Sequence, residues 1–159
     1  MAKVADAAGI SRPALYQYFA DRSDLFTAAF SLLLEEHTDA ALGALSEDVP
    51  LVDQLDGYLQ RLYGDPYAAM ATLQHGEEFM EAHHQFLTAA AENAKRRAHD
   101  GLRSHLRAST SADRRTRTGV LELLTLSIIG LKQDQPSPNA FSRRLTFIAE
   151  TAARALSAP

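Results

Sequence analysis

The chain of 159 residues contains no cysteine. Disulfides and thiolate chemistry are therefore excluded, and a reducing compartment is the natural setting for such a protein. The N-terminus lacks the basic segment and apolar run of a secretory signal. The longest apolar stretch, residues 120–131, is too short to cross a bilayer. From these absences we expect a cytoplasmic protein.

Motifs of common enzyme classes are also missing. The sequence has no glycine-rich phosphate loop, no G-x-S-x-G elbow and no H-E-x-x-H motif. One Glu-x-x-His pair, Glu81 and His84, is present, but a di-metal bundle needs a second copy facing it. Adjacent histidines also point about 100° apart on a helix. We therefore expect no enzyme activity, no metal and no cofactor, although further acids and histidines lie nearby, namely His75, Glu77, Glu78 and His83.

Positive charge is scarce overall, since the net charge is -4 and the pI is near 5.8. The charges are unevenly spread. Residues 35–81 hold eleven acidic residues and one basic residue, whereas residues 95–117 hold eight basic residues and two acidic ones. Such blocks are usually solvated helix faces. The basic block could instead contact phosphate or the acidic half of a partner.

Helix-forming residues dominate what is present. Apolar residues make up 46% of the chain, β-branched residues never cluster, and few stretches alternate with period two. The composition predicts an all-α protein of one or two compact units. We expect Ser23 to cap the long third helix, Gly64-Asp65-Pro66 to break the fourth, and Gly76 to end the short fifth. The predicted helices span about 2–8, 12–19, 23–45, 51–62, 66–73, 77–107, 112–133 and 140–156.

Two long helices carry informative apolar patterns. The third has one predicted stripe, made of Phe26, Phe30, Leu33, His37, Ala41 and Ala44. The seventh is apolar nearly all round in residues 120–131, so we expect it to be enclosed on two sides. A dimer interface would provide the second side. A central core helix of a monomer remains the alternative.

The first two predicted helices are short and joined by a tight turn. Gly9 suits the left-handed conformation that ends a helix, and Ser11 suits the cap of the next one. Their combined length has the proportions of a helix-turn-helix. Leu15 and Phe19, four residues apart, can anchor the second helix. The side chains left to face outward are those of Arg12, Pro13, Ala14, Gln17 and Tyr18.

These outward residues suit the edges of base pairs. Arginine pairs with guanine and glutamine with adenine by bidentate hydrogen bonds, and the first turn of such a helix lies closest to the bases. Ser11, Tyr16 and the backbone N–H groups at the helix starts suit phosphate oxygens. Arg22 adds a charge where the duplex backbone would pass. A helix corner without a ligand is the alternative interpretation.

Residues 4–30, VADAAGISRPALYQYFADRSDLFTAAF, resemble the DNA-binding signature of the tetracycline-repressor (TetR) family of transcriptional regulators. The family pattern is roughly I-A-x-x-A-G-V-S-x-G-x-L-Y-x-H-F-x-x-K-x-x-L. Three positions depart from it, with Pro13 for Gly, Tyr18 for His and Arg22 for Lys. The matching positions are Val4-Ala5, Ala8-Gly9-Ile10-Ser11, Leu15-Tyr16, Phe19 and Leu25.

The resemblance implies a helix-turn-helix head in residues 1–45 and a helical ligand-binding and dimerisation body in residues 46–159. It implies a homodimer through residues 112–133 and 140–156 that binds double-stranded operator DNA, most commonly as a repressor, and answers a small-molecule effector. It further implies that Tyr16 and Arg22 hold phosphate. The residues in or beside the groove would be Arg12, Ala14, Gln17 and Tyr18.

The effector pocket would lie among the middle helices, where large aromatic side chains favour an apolar or aromatic ligand. The family's head also has a helix before the segment at Val4, which this chain lacks, so we expect a shortened chain. The alternative function is therefore a truncated ligand-binding or interaction dimer without DNA binding. The candidate pocket residues are Tyr58, Leu62, Tyr67, Met70, Phe79, His83, Phe86 and Leu87.

Overall fold

The computed structural model describes residues 1–45, 48–72 and 76–157. For residues 76–88 it describes the backbone only. Within those ranges every regular element is helical, which confirms the all-α prediction. Eight α-helices and one π-helical turn, here called the π segment, follow one another along the described chain. They are α1 (Ala2–Ala8), α2 (Arg12–Tyr18), α3 (Arg22–Gly43), α4 (Leu51–Leu59), the π segment (Gln60–Gly64), α5 (Asp65–Thr72), α6 (Gly76–Ser109), α7 (Arg114–Gln133) and α8 (Pro138–Ser157).

Local signals set the turn between α1 and α2. Gly9 ends α1 with φ 67°, a conformation that costs glycine little. Ser11 then caps α2, because its Oγ accepts a hydrogen bond from the N–H of Ala14 at 3.2 Å. Ala5 and Leu15 are buried where the two helices pack together. Both predicted short helices are therefore confirmed.

The start of α3 differs from the prediction. Asp21, and not Ser23, caps this helix, and its Oδ1 accepts from the N–H of Asp24 at 2.8 Å. The carboxylate of Asp24 in turn accepts from the N–H of Ala20 at 2.9 Å. This reciprocal pair satisfies two free N–H groups at the helix start, which leaves Ser23 inside the first turn.

The predicted stripe on α3 is wrong in its middle. Phe26 and Phe30 do stack on each other, with ring centroids 6.1 Å apart. Leu33, however, is 52% exposed, and the buried position lies at Thr38 instead of His37. The reason is the crossing with α6, against which α3 packs most extensively. The buried residues of α3 are therefore Thr38, which was not predicted, and Ala41, which was.

The predicted break at Gly64-Asp65-Pro66 is also wrong. The chain stays helical from α4 to α5 through the π segment. Gln60 supports this turn, because its Nε2 donates to Ser142 O at 3.0 Å and its Oε1 accepts from Ser142 Oγ at 3.0 Å. Gly64 leaves room for the amide, since a Cβ there would lie 2.5 Å from Gln60 Oε1. Pro66 has no N–H to donate within this continuous helix, and the π segment, where the helical hydrogen-bond pattern changes, lies directly before it.

One apolar core holds the body together. Helix α8 packs on α4, α7, α5 and the π segment, with Phe141 and Leu145 fully buried. Two boundaries differ from the prediction. Gly76 begins α6 and does not end the preceding helix, and Asp113 caps α7, whose first residue is Arg114. The remaining buried core includes Leu55, Leu59, Ala98, Leu102, Leu106, Val120, Leu121, Leu124 and Leu156.

Candidate nucleic-acid interface

Helix α2 is held by one face and leaves the other open. Leu15 anchors it at 3% exposure, and Phe19, half-buried, ends it in extended conformation. Its first residues are Arg12 and Pro13, and proline is tolerated here because these N–H groups have no partner within the helix. The helix is thus fixed without using its outward side chains.

The predicted contact residues lie at the surface of the head. Tyr18 is 76% exposed and Tyr16 is 44% exposed. Arg12, Gln17 and Arg22 are exposed. Ser11 and Pro13 are exposed as well. Among the predicted contact residues, only Ala14 is half-buried. The outward face therefore offers guanidinium, amide and phenol groups together, all able to donate hydrogen bonds.

Arg12 and Tyr16 contact each other across one turn of α2. The guanidinium carbon of Arg12 lies 5.8 Å from the centroid of the Tyr16 ring, within the range of a cation–π interaction. The spacing of four residues places both side chains on the same side of the helix. The arginine therefore has an aromatic partner on its own helix.

Charge around this surface is balanced. Residues 1–29 contain three basic residues, Lys3, Arg12 and Arg22, and three acidic ones. Two of the acids, Asp21 and Asp24, are engaged with backbone N–H groups at the start of α3. The basic side chains on α2 and at the start of α3 are thus the ones presented to a polyanion.

Comparison with known proteins assigns this segment. Residues 1–29 match the family model of bacterial regulatory proteins, tetR family. This match supports a regulator of the TetR family. Its members are DNA-binding transcriptional regulators and generally not enzymes, so double-stranded DNA is the partner that the family indicates. No curated protein and no solved structure matches the chain significantly.

Outside the matched segment, the chain presents an apolar surface on α7 and α8. One side of α7 is buried in the core, at Val120, Leu121, Leu124 and Ile128. The other side carries Leu126, 67% exposed, with Leu123 and Ile129 at about half exposure. Phe147 of α8 is also 67% exposed. We call these four exposed residues (Leu123, Leu126, Ile129 and Phe147) the apolar face.

A groove lies between α7 and α8 beside Phe147. Its volume is about 620 Å³, and it opens toward the outside of the subunit. Apolar walls come from both helices, and two arginines of α8 stand at its edge. The lining residues are Ser127, Gly130, Leu131, Ala140, Arg143, Arg144, Phe147 and Ile148.

The predicted pocket residues fall in different surroundings. Tyr58 is 3% exposed within the core, and Leu62 and Met70 are half-buried. Tyr67 stacks on Phe141 at 4.1 Å between ring centroids, and its hydroxyl donates to Pro136 O at 2.7 Å. The side chains of Phe79, His83, Phe86 and Leu87 lie outside the described residues, as do those of His75, Glu77, Glu78, Glu81 and His84.

Sequence reasoning missed a polar cluster beside these residues. The ammonium of Lys132 lies 5.1 Å from the centroid of the Tyr63 ring. Desolvation lowers the pKa of Lys132, and the charge of Lys95 lowers it further. Burial raises the pKa of Tyr63. A lysine in the last turn of a helix suggests only an interaction with the helix dipole, so its contact with the tyrosine was not predictable from the sequence.

The basic block of residues 95–117 is partly neutralised on the surface. Arg97 forms an ion pair with Asp39 of α3, and Arg103 lies 3.5 Å from Asp100 on its own helix. These pairs favour the interpretation as a solvated face. Among the described residues, no group of three or more His, Asp or Glu side chains could hold a metal ion. None of the described helices is long and apolar enough to cross a membrane.

Proposed function

We propose that this chain is a ligand-responsive transcriptional regulator that binds operator DNA as a homodimer in the cytoplasm. Repression is the simplest mode, with release by a small apolar or aromatic effector. The observation that carries the proposal is the outward face of α2 within the segment that matches the family. There, Arg12, Gln17 and Tyr18 are all exposed on a helix anchored by Leu15.

The side chains exposed on the head would have different roles in DNA binding, set by the groups they carry. Arg12 and Gln17 would read base edges in the major groove, because their side chains can form bidentate hydrogen bonds with guanine and adenine. Ser11, Tyr16 and Arg22 would contact phosphate and set the register of the helix. Pro13, Ala14 and Tyr18 would lie beside the groove. Residues 1–45 would form the DNA-binding region and residues 46–159 the ligand-binding and dimerisation domain.

The apolar face supports the proposed homodimer. Four large apolar side chains remain exposed on one subunit, and exposed apolar surface of this kind commonly marks interaction sites. Two copies related by a two-fold axis would bury the same patch on both sides. Helices α7 and α8 of each copy would then form a four-helix interface, which matches the predicted ranges 112–133 and 140–156.

Helix α3 is the proposed connection between effector and DNA. It directly follows α2 along the chain, and it packs on α6 and on the π segment. The proposed pocket residues are distributed over α4, the π segment, α5 and α6. They are Tyr58, Leu62, Tyr67, Met70, Phe79, His83, Phe86 and Leu87. A ligand that tilts α3 would change the separation of the two recognition helices, which must match about one DNA turn of roughly 34–36 Å.

DNA selection tests the proposed activity. The full-length chain is incubated with a random duplex library, and the enriched sequence is measured by gel shift at stated salt concentrations. We expect Arg12→Ala to relax base choice at one position and Arg22→Ala to weaken all sequences alike. Arg103→Ala, an exposed change on α6 outside the proposed dimer interface, is the control and should leave binding unchanged. Failure to enrich any sequence would favour the alternative, a ligand-binding dimer that does not bind DNA.

The homodimer is tested separately by light scattering on purified protein. Leu126→Glu places a charge in the apolar face and should shift the mass toward the monomer. Leu32→Glu is the matched control, because Leu32 is 56% exposed but lies on α3, away from α7 and α8. A wild-type chain that is monomeric at all concentrations tested would rule out the homodimer.

A further inference from the structure

The contact between Arg12 and Tyr16 suggests a role for the tyrosine ring that its hydroxyl does not explain. The guanidinium carbon lies 5.8 Å from the ring centroid, and both residues are exposed on α2. Across the described ranges, no carboxylate lies within ion-pair distance of Arg12. The aromatic ring is therefore the partner that the structure gives to this cation.

A cation–π contact leaves an arginine able to recognise a base. It takes up none of the hydrogen bonds of the guanidinium N–H groups, and these groups donate to the O6 and N7 atoms of guanine. A side chain already held by a neighbour also loses less freedom when it binds. The contact with Tyr16 can therefore prepare Arg12 for base reading without competing with it.

We propose that Tyr16 is a positioning residue that holds Arg12 in the orientation that reads a guanine. This inference rests on the proposed function, since it assumes that α2 enters the major groove. It gives the two parts of one side chain separate tasks. The hydroxyl contacts phosphate and contributes to binding of any sequence, while the ring contributes to discrimination at the base pair that Arg12 reads.

Two substitutions at Tyr16 separate these tasks. Tyr16→Phe removes the hydroxyl and keeps the ring, whereas Tyr16→Leu removes both. Affinity is measured by fluorescence anisotropy for the selected operator and for a version changed at the base pair where Arg12→Ala loses discrimination. Tyr16→Phe should weaken both DNAs equally. Tyr16→Leu should in addition lower the ratio of the two affinities by about two- to fivefold, the range expected for an exposed cation–π contact.

Further variants keep the test decisive. Tyr16→Gln suits an exposed helical position and is the second ringless variant should the leucine variant fold poorly. In an Arg12→Ala background, neither ringless change should lower discrimination further, because the residue being positioned is gone.

Equal discrimination by Tyr16→Leu and Tyr16→Phe would overturn the positioning role while leaving the proposed DNA binding intact. Selection of a sequence whose base preference does not depend on Arg12 would also overturn it. A wild-type chain that selects no DNA would instead overturn the proposed function, and the positioning role with it.

Discussion

The head and the body of this chain use their apolar residues in opposite ways. In α1 and α2 only Ala5 and Leu15 are buried, and Val4 and Ile10 are each about 40% exposed. The body instead packs a continuous core in which Phe141 and its neighbours are fully buried. The comparison indicates that the head is shaped by caps and a turn to present side chains, whereas the body depends on contacts between distant helices. The two regions should therefore respond differently to substitution.

The largest expected effect is in the body core. Phe141→Ala removes a fully buried ring that also stacks on Tyr67, and we expect the free energy of unfolding to fall by about 3–5 kcal/mol. Urea denaturation followed by circular dichroism measures the change. Leu32→Ala, at an exposed site, is the control and should change stability by less than about 1 kcal/mol. Equal effects of the two changes would contradict the described core.

A smaller and local effect is expected in the head. Leu15→Ala should destabilise α1 and α2 by about 2–3 kcal/mol, because it removes the main anchor of α2. Hydrogen exchange should show faster exchange of head amides and unchanged exchange in α8. Comparable loss of protection in both regions would mean that head and body unfold as one unit.

Local chemistry explains which parts of the head could be predicted from sequence. Gly9 and Ser11 act within a few residues of their own positions, so the turn and the start of α2 were predictable. The cap of α3 was not, because Ser23 and Asp21 are both good capping residues and lie two positions apart. The choice depended on the reciprocal hydrogen bonds with Asp24, which propensity alone does not reveal.

Distant contacts explain the errors in the body. The expected break at Gly64 failed because Gln60 is bonded to Ser142, 82 residues further along the chain. The expected burial of Leu33 failed because the crossing of α3 with α6 selects the packed face. The sequence of residues 120–131 predicts that α7 has more apolar surface than one packed face uses. The groove beside Phe147 was not predictable, because it depends on how α7 and α8 pack together.

Gly64 offers a test of the π segment. Gly64→Ala would place a methyl group 2.5 Å from Gln60 Oε1 and displace the amide from Ser142 and Thr146, so we expect a loss of about 1–2 kcal/mol. Gly119→Ala is the matched control in α7, where a Cβ meets nothing within 4 Å. That change should stabilise the protein by about 0.5–1 kcal/mol. Stabilisation by both substitutions would show that the Gln60 network does not constrain the turn.

The smallest predicted effect is alkaline sensitivity from the core. Burial, with a smaller contribution from Tyr63, raises the pKa of Tyr58 in the folded state above its ordinary value near 10. Its contribution to stability is therefore complete below pH 10 and falls as pH rises, by about 1.4 kcal/mol per unit. Tyr58→Phe should flatten the decline of the urea unfolding midpoint between about pH 9.5 and about pH 11, a window that brackets the usual tyrosine pKa. Tyr18→Phe, at the surface, should not.

Hydroxyl-radical footprinting of the selected DNA tests the central claim most directly, namely that α2 of two subunits presents Arg12 and Gln17 to a double helix. We expect two protected half-sites related by a two-fold axis, with centres about 34–36 Å apart or a multiple of that spacing. We also expect that changing both residues to alanine abolishes the selective pattern. Protection without two-fold symmetry, or a selective footprint retained by the double variant, would contradict the claim.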